Sequence, residues 1–226
     1  MKLNERLTKI ALMISKCDAI LDVGTDHGYL PIYLVQNNFC KYAIASDINI
    51  GPVNKAKLNI KLQGLSDKIE CRLGAGLSTI HNGETQCAVI AGMGGNLIRD
   101  IIEENIDIFK SFDYAILNPV QNPEVLREYI YKRGFEIIDE DLCIDESKYY
   151  EIIKVKYGNK PREIDDIYYE VSKILIDKKH ELIKKYIEMK IDKYNKIYNT
   201  ITDTSINSLD RKKELTDKIN KLKELT

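Results

Sequence analysis

No CxxC pair, no long apolar run and no excess of either charge occurs in this chain, and each absence removes a class of protein. The five cysteines (Cys17, Cys40, Cys71, Cys87 and Cys143) are scattered, without the spacing of a zinc site or a disulfide framework. They read as free thiols in a reducing cytosol, and no metal is expected. No segment approaches the roughly 20 apolar residues that span a bilayer. The first segment, MKLNERLTKIALMISKC, carries Glu5, Arg6 and Lys9 where a secretion signal needs an apolar stretch, so a cytoplasmic protein is expected. The net charge is only −1, which argues against a basic stripe along the whole chain. The balance is uneven, however: residues 156–226 hold 17 Lys/Arg against 13 Asp/Glu, and residues 1–155 hold 17 against 22. Nucleic acid is therefore to be met by local patches, if at all.

What is present is a chain of 226 residues, 44% hydrophobic and 31% charged, sized for one catalytic domain and an appendage. Short apolar runs alternate with helical patterns. AILDV (19–23) is followed by a helix with Pro31 in its first turn, and YAIASDI (42–48) by a helix through VNKAKLNIKLQGL. IECRLG (69–74) is a short strand. CAVIAGM (87–93) precedes one helix through LIRDIIEENIDIF, and YAILNPV (114–120) precedes EVLREYIYKRG, closed by Gly134. FEIIDEDLCI (135–144) and YYEIIKVKY (149–157) have no helix between them, which predicts an antiparallel hairpin at a sheet edge. The sum is an α/β doubly wound sheet over residues 1–158. Beyond it, apolar residues from Ile167 to Ile201 recur by threes and fours and predict one long helix over 163–200. A polar break at 202–208 and a second helix carrying Leu215, Ile219, Leu222 and Leu225 complete a coiled-coil hairpin over 159–226.

The informative segment is the turn after the first strand, Asp22-Val23-Gly24-Thr25-Asp26-His27-Gly28-Tyr29. A glycine turn here lets a ligand approach the backbone and the next helix N-terminus. A dinucleotide fingerprint requires G-x-G-x-x-G, with the second glycine making room for a pyrophosphate. This chain has Asp26 there, and a carboxylate repels a pyrophosphate. Asp22 and Asp26 together suit a ligand with a cationic amino group and a sulfonium, namely S-adenosyl-L-methionine. Asp47 ends the second strand, where an acidic side chain accepts hydrogen bonds from ribose hydroxyls. Asp22 or Asp47 taken singly reads equally well as a strand-end cap. Gly74-Ala75-Gly76 leaves a slot beside an adenine, and Gly92-Met93-Gly94-Gly95 is a second turn built for close approach of a ligand.

DVGTDHGYLP, SDINIGPVNKAK, RLGAGL, VIAGMGG and LREYIYKRGFEIIDEDLCIDESKYYEI, in this order, resemble the bacterial tRNA (adenine-N1)-methyltransferases that act on the adenine at position 22 of tRNA. The resemblance covers residues 3–157, and the helical tail is similar in character to that family's C-terminal domain. It implies a Rossmann-like class I methyltransferase that binds S-adenosyl-L-methionine through Asp22, Gly24, Asp26, His27, Asp47, Ile48 and the turn Gly74, Ala75 and Gly76; Thr25 in the first glycine turn and Gly92 and Met93 in the second are further expected cofactor contacts. It implies tRNA as partner and the D-arm region as target. The chain departs from the family pattern at Ala75, where Asp is usual, and at Asn118-Pro119-Val120, where Gln-Pro-Asn is usual.

Adenine N1 is itself nucleophilic, so positioning is expected to do most of the catalysis, with no obligate general base. Asp26 or Asn118 is the expected acceptor beside the exocyclic amino group of the base, and Tyr29 the expected aromatic neighbour, with Tyr149 and Tyr150 as further candidates. His27 is as well placed in the turn to orient the loop as to touch substrate. Arg99, Arg127, Lys132 and Arg133, or the lysines of the helical hairpin, are the expected supply of phosphate contacts, although most hairpin charges read as a solvated face. A monomer or weak homodimer is expected. Two other readings stay open: a methyltransferase acting on an exocyclic or amide nitrogen, since Asn118-Pro119 opens like the Asn-Pro-Pro-Tyr loop of such enzymes, and a non-catalytic RNA-binding scaffold that keeps the cofactor fold.

Overall fold

The computed structural model describes residues 3–203 and 205–226, which form two compact units, one up to Glu163 and one from Ile164. The first is a seven-stranded sheet with helices. Its strands are β1 (Cys17–Val23), β2 (Cys40–Asp47), β3 (Ile69–Leu73), β4 (Cys87–Gly94), β5 (Tyr114–Gln121), β6 (Phe135–Asp145) and β7 (Lys148–Tyr157), in the order β3-β2-β1-β4-β5-β7-β6. The first five are parallel, whereas β7 runs antiparallel to both β5 and β6. The central strands β1 and β4 are buried on both faces over residues 19–23 and 87–90, which is why they read as apolar runs and not as alternating patterns. The edge hairpin expected from 135–157 is present, with Glu146 and Ser147 turning the corner in left-handed conformations.

The helices of this unit are α1 (Glu5–Leu12), α2 (Tyr29–Gln36), α3 (Ile50–Leu62), α4 (Gly95–Glu104), α5 (Ile106–Lys110) and α6 (Pro123–Lys132). Two features differ from the sequence reading. The single helix expected after β4 is divided into α4 and α5, because Asn105 leaves helical geometry at φ −134°, ψ 47°. An N-terminal helix, α1, precedes the sheet. Asn4 caps it by accepting a hydrogen bond from the Leu7 amide at 3.0 Å, and Ile10 and Ala11 bury its inner face.

The second unit holds α7 (Ile167–Glu170), α8 (Lys173–Asp177), α9 (Ile183–Thr200) and α10 (Ile206–Lys223). The continuous helix expected over 163–200 is thus three pieces. Val171 is extended, the buried Ser172 starts a new helix by accepting from the Leu175 amide at 3.1 Å, and Lys179 turns left-handed at φ 50° before α9. A serine cap and a left-handed residue override a periodicity that by itself is helical. The polar break does fall before α10, apart from residue 204, which lies outside the described residues. Ile187, Tyr194, Leu215, Ile219 and Leu222 pack α9 and α10 together. Inside this core Glu170 pairs with Lys190, Lys218 and Tyr194. Burial opposes its charge, but the two ammonium groups and the phenol outweigh burial and hold its pKa down.

Candidate active site

A cleft of about 380 Å³ opens at the carboxyl ends of β1 and β4, where neighbouring connections leave the sheet in opposite directions. Ligands of doubly wound sheets bind at this switch point. Asp22, Gly24, Thr25, Asp26, His27, Tyr29 and Gly92, all read from the sequence, line it. A larger hollow of about 640 Å³, lined by Lys16, Cys17 and Lys41 among others, lies at the opposite ends of β1 and β2, away from every one of these residues.

Asp22 lies at the floor of the cleft with 8% of its surface exposed. Burial pushes its carboxyl up to about 6, against a hydrogen bond with Thr25 that favours the anion, and the nearby Asp47 charge adds to the rise. A buried carboxylate held this way gains on meeting a cation. Gly24, two residues on, has φ 79°, a left-handed conformation that strains any other residue, and a Cβ there would also displace the tip of the Met93 side chain. Its amide and that of Thr25 donate to the Ser46 carbonyl at 2.8 and 2.9 Å, pinning the turn to β2.

Asp26 is exposed and pairs with His27 Nδ1 at 2.8 Å and with Lys55 at 3.6 Å. His27 stacks on Tyr29, with centroids 4.9 Å apart and planes 20° off parallel, and its carbonyl accepts from Asn59 at 2.9 Å. The His27 ring therefore orients both the acid and the aromatic, and Tyr29 keeps 43% of its surface exposed at the cleft.

Asp47, Ile48, Gly74, Ala75 and Gly76 do not line the cleft itself. They continue along the same edge of the sheet at the ends of β2 and β3, where the Gly74 amide donates to the Asp47 carbonyl at 3.0 Å. One oxygen of Asp47 accepts from the Asn49 amide at 2.7 Å, and Ile48 is exposed beside it. With strands about 4.8 Å apart, the line from β4 through β1 and β2 to β3 spans roughly 14 Å, the reach of an extended nucleoside with an amino-acid tail. A buried anion at one end, a glycine turn that admits backbone contact and a strand-end carboxylate further along fit S-adenosyl-L-methionine.

Three expectations change. Asn118 is wholly buried, donating to the Glu151 carbonyl at 2.8 Å and accepting from Arg6 at 2.9 Å, so it does not present its amide to a base. Arg127 is not a phosphate contact: it is buried between Glu140 and Glu151. Burial works against its charge, and the two carboxylates outweigh burial and keep it ionised. Of the other cations named, Arg99 pairs with Asp100, Lys132 with Glu128 and Arg133 with Glu103. Tyr150 receives the Arg6 guanidinium over its ring at 5.2 Å. Arg6 and Leu7 of α1, with the capping Asn4, also line the cleft, and the sequence reading does not single them out. The signal was there, as an Asn cap with Leu7, Ile10, Ala11 and Ile14 at helical spacing.

The strand order, with an antiparallel β7 between β5 and β6, and an acidic glycine-turn cleft at the switch point define a class I, Rossmann-like methyltransferase. Residues 20–224 match the family described as tRNA (adenine(22)-N(1))-methyltransferase, and the chain belongs to that family. The tRNA (adenine(22)-N(1))-methyltransferase of Bacillus subtilis (strain 168) is 34% identical over 232 residues, covering 100% of this chain and 97% of that one. A Streptococcus pneumoniae structure in complex with S-adenosyl-L-methionine superposes with a TM-score of 0.87 at 30% identity, covering 99% of each chain. TrmK of M. capricolum, in complex with the cofactor product S-adenosyl-homocysteine, superposes with a TM-score of 0.86 at 29% identity, covering 100% of this chain and 99% of that one.

Proposed function

We propose that this chain transfers the methyl group of S-adenosyl-L-methionine to N1 of the adenine at position 22 of tRNA, by positioning and without a general base. The observation that carries the reading is the buried Asp22 at the floor of a cleft whose rim presents Asp26 and Tyr29. The cofactor supplies an electrophilic methyl group on a positively charged sulfur. Asp22 meets its ammonium group, the bare backbone at Gly24 lets it lie close, and Asp47 accepts from the ribose hydroxyls with the carboxylate oxygen not used by Asn49. Ile48 and the Gly74-Ala75-Gly76 turn border the adenine end. Ala75 brings no polar group to that base, so its recognition there rests on backbone groups and shape.

The target adenine must leave its stack before N1 can be reached, which costs a few kcal/mol. The exposed face of Tyr29, braced from behind by His27, offsets this by stacking. N1 attacks with its own lone pair, so no proton need be removed first. Fixing the two reactants in line supplies on the order of 7–11 kcal/mol of barrier reduction. The methylated ring is cationic, and Asp26, fixed by His27 and Lys55 in the cleft lining, is the carboxylate that stabilises it in this reading. Asn118 acts at one remove, by holding Arg6.

The test is methylation of a tRNA transcript with labelled S-adenosyl-L-methionine, followed by nucleoside analysis. 1-Methyladenosine at position 22, and its loss when that adenine is replaced by guanine, is the expected result. Methyl on N6 would instead establish the exocyclic-nitrogen reading, and no transfer together with no cofactor binding would establish the scaffold reading.

A further inference from the structure

The hollow at the amino ends of β1 and β2 gathers a chemistry that methyl transfer does not use. Its 640 Å³ is the size of a small-molecule site, and Cys17, Cys40, Lys16, Lys41 and Lys68 line it. Lys41 pairs with Asp18 at 2.7 Å, whereas among the described residues neither Lys16 nor Lys68 pairs with a carboxylate. Three lysines against one aspartate leave this lining positive, in a part of the chain where acid exceeds base. Behind the hollow stands a third thiol. Cys87, buried at the start of β4, donates its S–H to Cys17 Sγ at 3.5 Å. The five cysteines differ accordingly. Burial pushes Cys40 up to about 12 and Cys143 up to about 11, and it raises the half-buried Cys71 as well. Cys87 is raised by its bond to Cys17 and by burial. Cys17 moves the other way: it is half-buried, and the hydrogen bond from Cys87 favours its thiolate by more than burial, Asp18 and Asp113 oppose it.

The thiolate is the nucleophile in thiol–disulfide exchange, and a thiolate reached through a positively lined hollow selects its partner by charge. We propose that this hollow is a thiol-modification site, where Cys17 exchanges with a carboxylate-bearing low-molecular-weight disulfide and is left as a mixed disulfide. The cavity admits a molecule of that size, Lys16 and Lys68 meet its carboxylates, and Cys17 is the thiol within its reach. Cys17 first releases its proton to water. Its sulfur then attacks one sulfur of R–S–S–R; the Cys17–S–S–R bond forms, the original S–S bond breaks, and R–S⁻ leaves. Cys17 is oxidised as the departing thiolate is reduced, so the step needs no other oxidant. Cys87 keeps its proton throughout and acts as a positioning residue for the Cys17 sulfur. Attack of a free thiol on the mixed disulfide reverses the reaction.

Intact-mass spectrometry of the full chain tests this, with glutathione disulfide as the anionic probe and bis(2-hydroxyethyl) disulfide as the neutral one. Each rate is normalised to the rate of the same disulfide with free cysteine. Glutathione disulfide is expected to add a single glutathionyl group, mapped to Cys17 by peptide digestion and removed by dithiothreitol. Its normalised rate exceeds that of the neutral disulfide at low salt by about tenfold, and high salt shrinks the difference. Lys16→Ala combined with Lys68→Ala removes the preference and leaves the neutral rate unchanged. Because both side chains are exposed, this variant carries the comparison if Cys17→Ser, which should form no adduct, does not fold. Cys87→Ala slows both disulfides by the same factor, since it acts on the nucleophile and not on the ligand. An adduct on Cys71 in place of Cys17, no adduct at all, or equal normalised rates for the two disulfides in the wild type overturns the proposal.

Discussion

In the proposed cofactor site Asp22 combines burial with a task that needs charge, and this sets a measurable pH dependence. Its pKa is pushed up to about 6, so the empty site holds a carboxylate only above that value. Cofactor affinity is therefore expected to be flat from pH 7 to 8 and to fall below pH 6, approaching tenfold per pH unit, as the proton competes with the ammonium group. The sign for stability is the opposite. Because the folded pKa lies above that of the unfolded chain, ionising Asp22 destabilises the ligand-free fold as pH rises from about 4 through 6. Asp22→Asn removes this cost. The ligand-free variant should melt higher than wild type at pH 8, by on the order of 1–3 kcal/mol, with the difference vanishing near pH 4, and should bind S-adenosyl-L-methionine at least about tenfold more weakly. Thermal melts and calorimetry across that range read both effects. A variant that is no more stable and binds equally well returns Asp22 to the role of a strand-end cap.

At the scale of elements, the link between α6, β6 and β7 is electrostatic. Arg127 from α6 meets Glu140 of β6 and Glu151 of β7, all three almost wholly buried. The Glu151 main chain then receives Asn118, so the triad stands directly behind the Arg6 support. Removing the cation leaves two carboxylates unpaired in the interior, which costs about 3–5 kcal/mol. Arg127→Met is expected to lose that much in denaturant melts at pH 7 and to recover part of it on acidification, as the orphaned carboxylates protonate. Normal stability with a raised KM for tRNA would instead restore Arg127 to the phosphate contacts that its sequence position suggested. The same scale explains the broken tail: periodicity fixes which face of a helix is apolar, but Ser172 and Lys179 decide where helices begin and end.

For the whole molecule, the charge distribution bears on substrate binding. The excess of acid in residues 1–155 and of base in 156–226 leaves no global field to draw in RNA, so tRNA must be held by a few local cations. No helix of the described residues is long and apolar enough to cross a membrane. With about three phosphate contacts, raising monovalent salt from 50 to 200 mM should raise KM for tRNA by about tenfold or more. The dissociation constant of the cofactor, held by buried groups, should change by less than about twofold. A KM for tRNA insensitive to salt would mean that recognition is carried by base and shape contacts instead.

Much of this protein was written locally. Hydrophobic runs of strand length separated by helical periods are enough to call for a doubly wound sheet, and the missing β–α crossover between residues 135 and 157 calls for the antiparallel edge. The loop Asp22-Gly24-Asp26 declares its ligand class by charge, because a carboxylate in place of the second glycine excludes a pyrophosphate wherever the loop lies. What only tertiary structure decided depends on groups far apart in the chain. Arg6 and Asn118 are separated by 112 residues and meet at 2.9 Å, and Arg127 gains its two carboxylates only when α6 packs on the hairpin. The sign and reach of a side chain are properties of the residue. Whether it faces solvent, a ligand or a buried partner depends on which strands the fold sets side by side.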